Sequence, residues 1–459
     1  MSVPRFIVAG VEPGPALDLV AGALLAGLGE HRTVRPVLIG LDLPLWRLLY
    51  KTAAKAPRVV DPALHSHALA AELYDYWAEK VDSVLFVAAR PVLDRWEGVE
   101  GSRAVDFAER LDAPLVLVLD ARDRGATAAA AVCGVQALAK HAEVAGLVVV
   151  GGDDSAAGRE LMESLRRDVA LPLRGHIPPQ LSEQFVRQRV AATSGVRTLG
   201  PKPAQGSEQR LCEEAATYLR LDELEAIAAQ RGYLPSVRRR VLAPQPAAAG
   251  LSLAVAWGPP LEPLALENVD VLQAMGVELM PLNIARDREL PAGISGLLIA
   301  GQLDEAKLAA FSENRELIGE LAAKIGEGLP TMAIGGGALL LLRRLADSHG
   351  RSHELVGVVP AEAELIEWYD RPRYVRVTAT RDNPFDEGEN TLYELFDLEF
   401  LMLEQESFAY RVETGGDESQ AEGFAVHRCL ASSLYPSFAL CPAMAERFVA
   451  AMRLGGQWR

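Results

Sequence analysis

Two strand-to-helix turns hold the residues whose types and spacing bear most directly on chemistry. In "LPTMAIGGGALLLL" (329 to 342) a short apolar strand runs into Gly335, Gly336 and Gly337 and then into an apolar helix. A turn of this kind presents a reactive side chain at its tip, and its glycines permit positive φ and close backbone approach. Gly335 stands at the tip with no serine, cysteine or threonine beside it, so covalent catalysis from this position is excluded. The remaining amides make either an anion-binding hollow or a plain packing turn. The second turn, "VAGVEPGPALDLVAG" (8 to 22), has the placement of a phosphate-binding loop. Such a loop needs glycines that free backbone amides, a lysine for the outer phosphates and a hydroxyl for magnesium. Gly10 and Gly14 are present, but Leu17 and Asp18 stand where lysine and the hydroxyl belong. An aspartate there can cap the helix, whereas beside a triphosphate it repels the ligand.

Other polar residues carry a weaker signal. Asp120 closes "LVLVLD" and Asp42 follows "VLIG", both at strand ends where open α/β sheets bind ligands. Each reads equally as a cap or loop contact. The strand "SVLFVAARP" ends without the acid that a magnesium-nucleotide site requires, and "ASSLYPSF" (431 to 438) offers hydroxyls without a histidine. His427 nearby reads as structural. The cysteines, Cys133, Cys212, Cys429 and Cys441, are far apart and form no C-x-x-C pair, so no metal site is expected and a reducing compartment fits.

These turns need sheets to hold them. Continuous apolar runs separated by amphipathic stretches, from "RFIVAG" through "APLVLVLD" to "VAGLVVVGG" and "LPLRGHIP", predict a mostly parallel sheet with helices on both faces. The fold class is therefore α/β in two domains: a P-loop-like unit over 1–231, a linker over 232–250 rich in proline and alanine, and a second α/β unit over 251–459. The formal charge of −16 and pI near 5.1 disfavour nucleic acid and anionic membranes. "VRRRV" (237 to 241) is the local exception and reads as a solvated linker. No apolar run approaches the ~20 residues of a membrane span and the start lacks a signal-peptide pattern, so a soluble cytoplasmic protein is expected.

Taken in order, these segments resemble the cobyrinic acid a,c-diamide synthase family, which includes siroheme-type amidases. The family joins an ATP-dependent domain similar to dethiobiotin synthetase to a class I glutamine amidotransferase-like domain. "RFIVAGVEPGPALDLVAGALLAGL" is similar to its phosphate loop and first helix, "ISGLLIAGQLDE" to its glycine-rich strand end, and "GLPTMAIGGGALLLL" to its nucleophile elbow. "FDLEFLMLE" and "ASSLYPSFALCPAMAERFV" resemble its closing segments.

The resemblance implies ATP and magnesium at Gly10, Gly14, Leu17, Asp18, Asp42 and Asp120, and a substrate cleft at Gly301, Gly336, Gly337 and Glu399. It also shows what is missing. The family's glycine, lysine and threonine fall on Ala16, Leu17 and Asp18, its metal-binding glutamate on Val87, and its catalytic cysteine on Gly335. Its closing histidines fall on Tyr435 and Ser437, and a G-H-E-F-H segment keeps only Glu399 and Phe400. The expectation is a chain with no catalytic residue and no cofactor, acting as a tetrapyrrole-binding protein or as the partner of an enzyme or an active paralogue, and forming a homodimer. The alternative is a carbon–nitrogen ligase that amidates tetrapyrrole carboxylates with ATP and glutamine or ammonia.

Overall fold

The computed structural model describes residues 3–96, 98–152, 155–193, 206–230, 237–245, 248–262, 266–365, 373–389, 391–395, 400–401, 408–413 and 419–454. The chain divides into two compact units, Met1–Arg238 and Arg239–Arg459. That division falls inside the segment read as a linker.

The first unit is built on seven strands: β1 (Arg5–Gly10), β2 (Val34–Ile39), β3 (Arg58–Val60), β4 (Ser83–Ala88), β5 (Leu115–Asp120), β6 (Val144–Val150) and β7 (Leu173–Ile177). Their order is β3-β2-β4-β1-β5-β6-β7, with every pairing parallel. Helices on both faces explain why every residue of β1 and β4 is buried. The helix after β1, Pro15–Gly29, starts with proline at its first position, where the missing N–H costs nothing. Its Gly22 admits a neighbour: a Cβ there would lie 2.4 Å from Cys212 Sγ, on helix Ser207–Ala216. Helix Pro179–Thr193 also packs against both. Helices Ser207–Ala216 and Leu221–Ala229 are separated at Thr217–Arg220, where Arg220 N–H bonds the Arg174 carbonyl of β7.

The second unit carries β8 (Ser252–Trp257), β9 (Leu261–Glu262), β10 (Glu278–Asn283), β11 (Gly296–Leu303), β12 (Thr331–Gly335), β13 (Leu342–Ala346), β14 (Ser352–Glu354), β15 (Val359–Glu364), β16 (Arg373–Ala379), β17 (Thr391–Leu395), β18 (Phe400–Leu401), β19 (Phe408–Glu413), β20 (Ser419–Val426), β21 (Cys429–Ser432) and β22 (Leu434–Tyr435). The main sheet runs β10-β8-β11-β12-β21-β20-β19-β16-β17-β22, with β9 against β11. It is parallel from β10 to β21 and antiparallel beyond. Leu297, Ile299, Phe311, Leu317, Leu321 and Leu339 form its central packing.

One reading is corrected here. The apolar helix expected after the glycines is only Gly336–Leu339, and the leucines that follow enter β13, which pairs with β14 and β15. Leu342 and Leu345 are buried while Arg343 and Arg344 are exposed, with an irregularity in the register between Leu342 and Arg344. Between β11 and β12 the chain forms a short 3-10 turn, Glu305–Lys307, and the helices Leu308–Ser312 and Arg315–Gly326. Among the described residues no helix is long and apolar enough to cross a membrane.

Candidate functional site

In the second unit, β11 and β12 bring Gly301 and Gly335 side by side in parallel register. Gly335 has φ 60 and ψ −129, a conformation that strains any residue with a side chain. Its missing Cβ would fall 1.8 Å from the hydroxyl oxygen of Tyr435 and 1.9 Å from Cζ. The tyrosine therefore occupies the volume that a side chain on the elbow would need. Tyr435 is 2% exposed, and its hydroxyl donates to the Gly301 carbonyl at 2.8 Å and to Gln302 Oε1 at 3.2 Å. Gly336 and Gly337 are fixed by packing: a Cβ would meet Leu303 N at 2.4 Å and the Ile299 carbonyl at 2.0 Å, respectively. The turn is kept close to β11 by these absences.

Two residues that sequence reading missed hold Tyr435 in place. Glu422 of β20 accepts hydrogen bonds from Ser432 Oγ at 2.7 Å, Ser433 N at 2.8 Å and Ser433 Oγ at 2.8 Å. Burial pushes its carboxyl above the usual range, and the serine donors pull against that rise. Buried Asn268 donates to the Pro436 carbonyl and accepts from Phe438 N, at 2.8 and 2.7 Å. Ser437, expected at a degenerate catalytic position, caps a turn: its carbonyl accepts Cys441 N at 2.8 Å. His427 is an exposed residue with φ 54 in the turn between β20 and β21. Glu399 lies outside the described residues.

Burial pushes the Cys212 and Cys429 thiols up to about 12 and raises that of Cys441, which disfavours the reactive thiolate.

A separate alignment in this unit also has the elements of a relay. Ser312 Oγ lies 3.3 Å from His353 Nδ1, and His353 Nε2 lies 3.4 Å from Asp347 Oδ2. The serine is buried at the end of a five-residue helix and donates to the Ala309 carbonyl of its own turn, so the group is a hydrogen-bonded corner. Burial opposes the charge of Asp347, but hydrogen bonds from Arg351, His353 and the His349 amide outweigh it and hold the carboxyl down at about 2. A folded-state value below the unfolded one adds stability above the ordinary pKa of about 4 and loses it as pH falls toward 2. Asp347→Asn is expected to flatten the acid limb of the stability curve between pH 4 and 2, as read by urea unfolding at stepped pH. A limb as steep as that of the wild type contradicts the assignment.

In the first unit the loop residues are paired within the chain. Asp18 does not cap the helix; it accepts from Arg189 Nε and Nη2 at 2.9 and 2.8 Å, and Glu208 lies 3.7 Å from Arg189 Nη1. Burial raises the Asp18 carboxyl, against the lowering pull of Arg189. Leu17 is buried. Asp120 is bound by the Arg122 guanidinium, and Glu12 by that of Arg124. Asp42 caps helix Leu43–Thr52 through Leu45 N at 3.0 Å. A Cβ on Gly14 would stand 4.0 Å from Asp120 Oδ2, so a carboxylate faces the loop where phosphates would approach. Val87 is a wholly buried strand residue. These groups do not fit a magnesium-bound triphosphate, and among the described residues no cluster of three or more His, Cys, Asp or Glu could hold a metal.

Residues 254–438 match the model of the CobB/CobQ-like glutamine amidotransferase domain. Along its whole length the chain is similar to cobyrinate a,c-diamide synthases: 23% identical to that of Caldanaerobacter subterraneus, over 94% of each chain. It is likewise 23% identical to that of Dehalococcoides mccartyi strain CBDB1, over 98% of each. The structure of cobyrinic acid a,c-diamide synthase from Mycobacterium smegmatis with bound ADP and magnesium aligns at 14% identity and a TM-score of 0.25, over 43% of this chain and 100% of that one. That likeness is too loose to carry a position across. The fold, the match of residues 254–438 and the full-length similarity agree in relating the chain to the cobyrinate a,c-diamide synthases, at 23% identity.

Proposed function

We propose that this protein has lost both glutaminase activity and ATP-dependent amidation and acts as a binding homologue: a non-catalytic partner or regulator of a related enzyme, or a tetrapyrrole-binding protein. The reading rests on one observation above the others. Tyr435 fills the space at Gly335 that a nucleophilic side chain requires, and its hydroxyl is committed to the Gly301 carbonyl. A glutaminase needs an attacking atom at this point and a base to activate it, and neither has room. The relatives' activity fits the retained scaffold but not this turn.

The competing reading is amidation of a tetrapyrrole carboxylate with free ammonia, which needs no elbow nucleophile. Similarity over both units favours it. The two are separated by incubating the purified protein with glutamine and following glutamate release, then repeating with ammonia, ATP and a tetrapyrrole polycarboxylic acid and following ADP. Silence in both assays, with a shift of the tetrapyrrole absorbance on adding protein, is the expected result. Glutamate released above the spontaneous rate sinks the glutaminase loss, and ADP formed only in the presence of the tetrapyrrole acid supports the ligase.

A further inference from the structure

We propose that the first unit is closed to nucleoside triphosphates by its own carboxylates, which occupy the arginines around the loop as internal counter-ions. This goes beyond a silent elbow, because a chain without a glutaminase can still use ATP. The argument concerns charge at one edge of the sheet. Glu12 lies in the loop between β1 and its helix, Asp120 faces that loop and Asp18 stands in the helix's first turn, and each is held by a guanidinium: Arg124, Arg122 and Arg189 in turn. A phosphate site needs positive charge left unspent and acids reserved for a metal. Here the cations are spent on carboxylates of the same chain.

The three pairs differ in depth, and that decides what can open. Arg189 is only 8% exposed and is shared between Asp18 and Glu208, so it belongs to the packing between helices Pro15–Gly29, Pro179–Thr193 and Ser207–Ala216. Arg124 and Glu12 are 46% and 35% exposed, and Arg122 and Asp120 about a fifth. The outer two pairs are therefore the gate. Planar guanidiniums released from their carboxylates bind phosphate oxygens well, and the amides of the helix N-terminus lie on the same loop. The loop excludes triphosphate by charge occupancy as well as by the absence of a lysine.

The test uses the full chain with ATP·Mg²⁺, ATP in EDTA and inorganic tripolyphosphate, read by calorimetry and thermal shift. The wild type is expected to show no saturable binding up to millimolar ligand and no rise in melting temperature. The variant Glu12→Gln/Asp120→Asn removes both outer counter-ions and is expected to bind tripolyphosphate at least about tenfold more tightly than the wild type, the scale of one charge-assisted pair. Glu12→Gln alone, at the more exposed pair, guards against a fold lost in the double variant and is expected to show a smaller gain. Micromolar ATP binding by the wild type overturns the proposal, as does a folded Glu12→Gln variant with no gain for either phosphate. Glutamate release is measured at the other unit, so nucleotide binding without glutaminase sinks this inference and leaves the loss at the elbow standing.

Discussion

Replacing Gly335 by cysteine is expected to destabilise the second unit by roughly 4 kcal/mol and to leave glutamine untouched. Two costs add. Any side chain at φ 60 and ψ −129 is strained by about 1–3 kcal/mol, and forcing a Cβ and a sulfur against a buried ring adds about 1–3 kcal/mol of overpacking. The ring has little freedom to yield, because Glu422 and Asn268 fix the segment on either side of it. The clash has a partner, so it is measurable as a coupling. Tyr435→Ala by itself costs about 3 kcal/mol, as for other buried aromatics. In Gly335→Cys/Tyr435→Ala the overlap is gone, and the double variant is expected to be about 2 kcal/mol more stable than the sum of the single effects predicts. Urea unfolding of the full chain reads all three variants, and strict additivity would show that the tyrosine does not fill the elbow.

Arg189→Met is expected to have the next largest effect, about 3–5 kcal/mol at neutral pH. Removing the cation leaves Asp18 and Glu208 facing each other in a buried site without their shared partner. The loss depends on pH in a defined direction. Burial already raises the Asp18 carboxyl, and without Arg189 both the pull of its positive charge and its hydrogen bonds are gone, so the folded-state value climbs further above the unfolded one. Such a group contributes stability below the unfolded value of about 4 and loses it as pH rises through the folded one. The variant should therefore approach the wild type in acid and fall away toward neutrality. Asp18→Asn in the same background should restore part of the stability at pH 7. Thermal melts at pH 4.5 and 7.5 decide it, and a pH-independent loss would assign Arg189 to packing alone.

The residues missing from the two turns are easier to read from the chain than what stands in their place. Gly335 where a nucleophile belongs, and Leu17 and Asp18 where a lysine and a hydroxyl belong, are visible because turns impose local spacing. What replaced the missing groups was not visible. Arg189 lies 171 residues from Asp18 and Tyr435 lies 134 from Gly301, and nothing in either neighbourhood marks the pairing. Asp18 was weighed as a helix cap because that use is local, whereas the pair that forms depends on three helices meeting. The leucines after the elbow were read as a helix because an apolar run has no period of its own. The parallel order of the first sheet was legible, since strands buried on both faces spell continuous apolar runs. The antiparallel extension β16 to β22 was seen only as short strand-like pieces, without its order.

The contact between Gly335 and Tyr435 also constrains which sequences can be neighbours of this one. While the tyrosine is present, every side chain at 335 meets it, and while 335 is bare, reducing the tyrosine opens a cavity and frees the Gly301 carbonyl. Each single step away from the present pair is unfavourable, and the two taken together cost about 5 kcal/mol, about 2 kcal/mol less than their sum. A side chain at this turn therefore escapes the overlap only when position 435 changes with it.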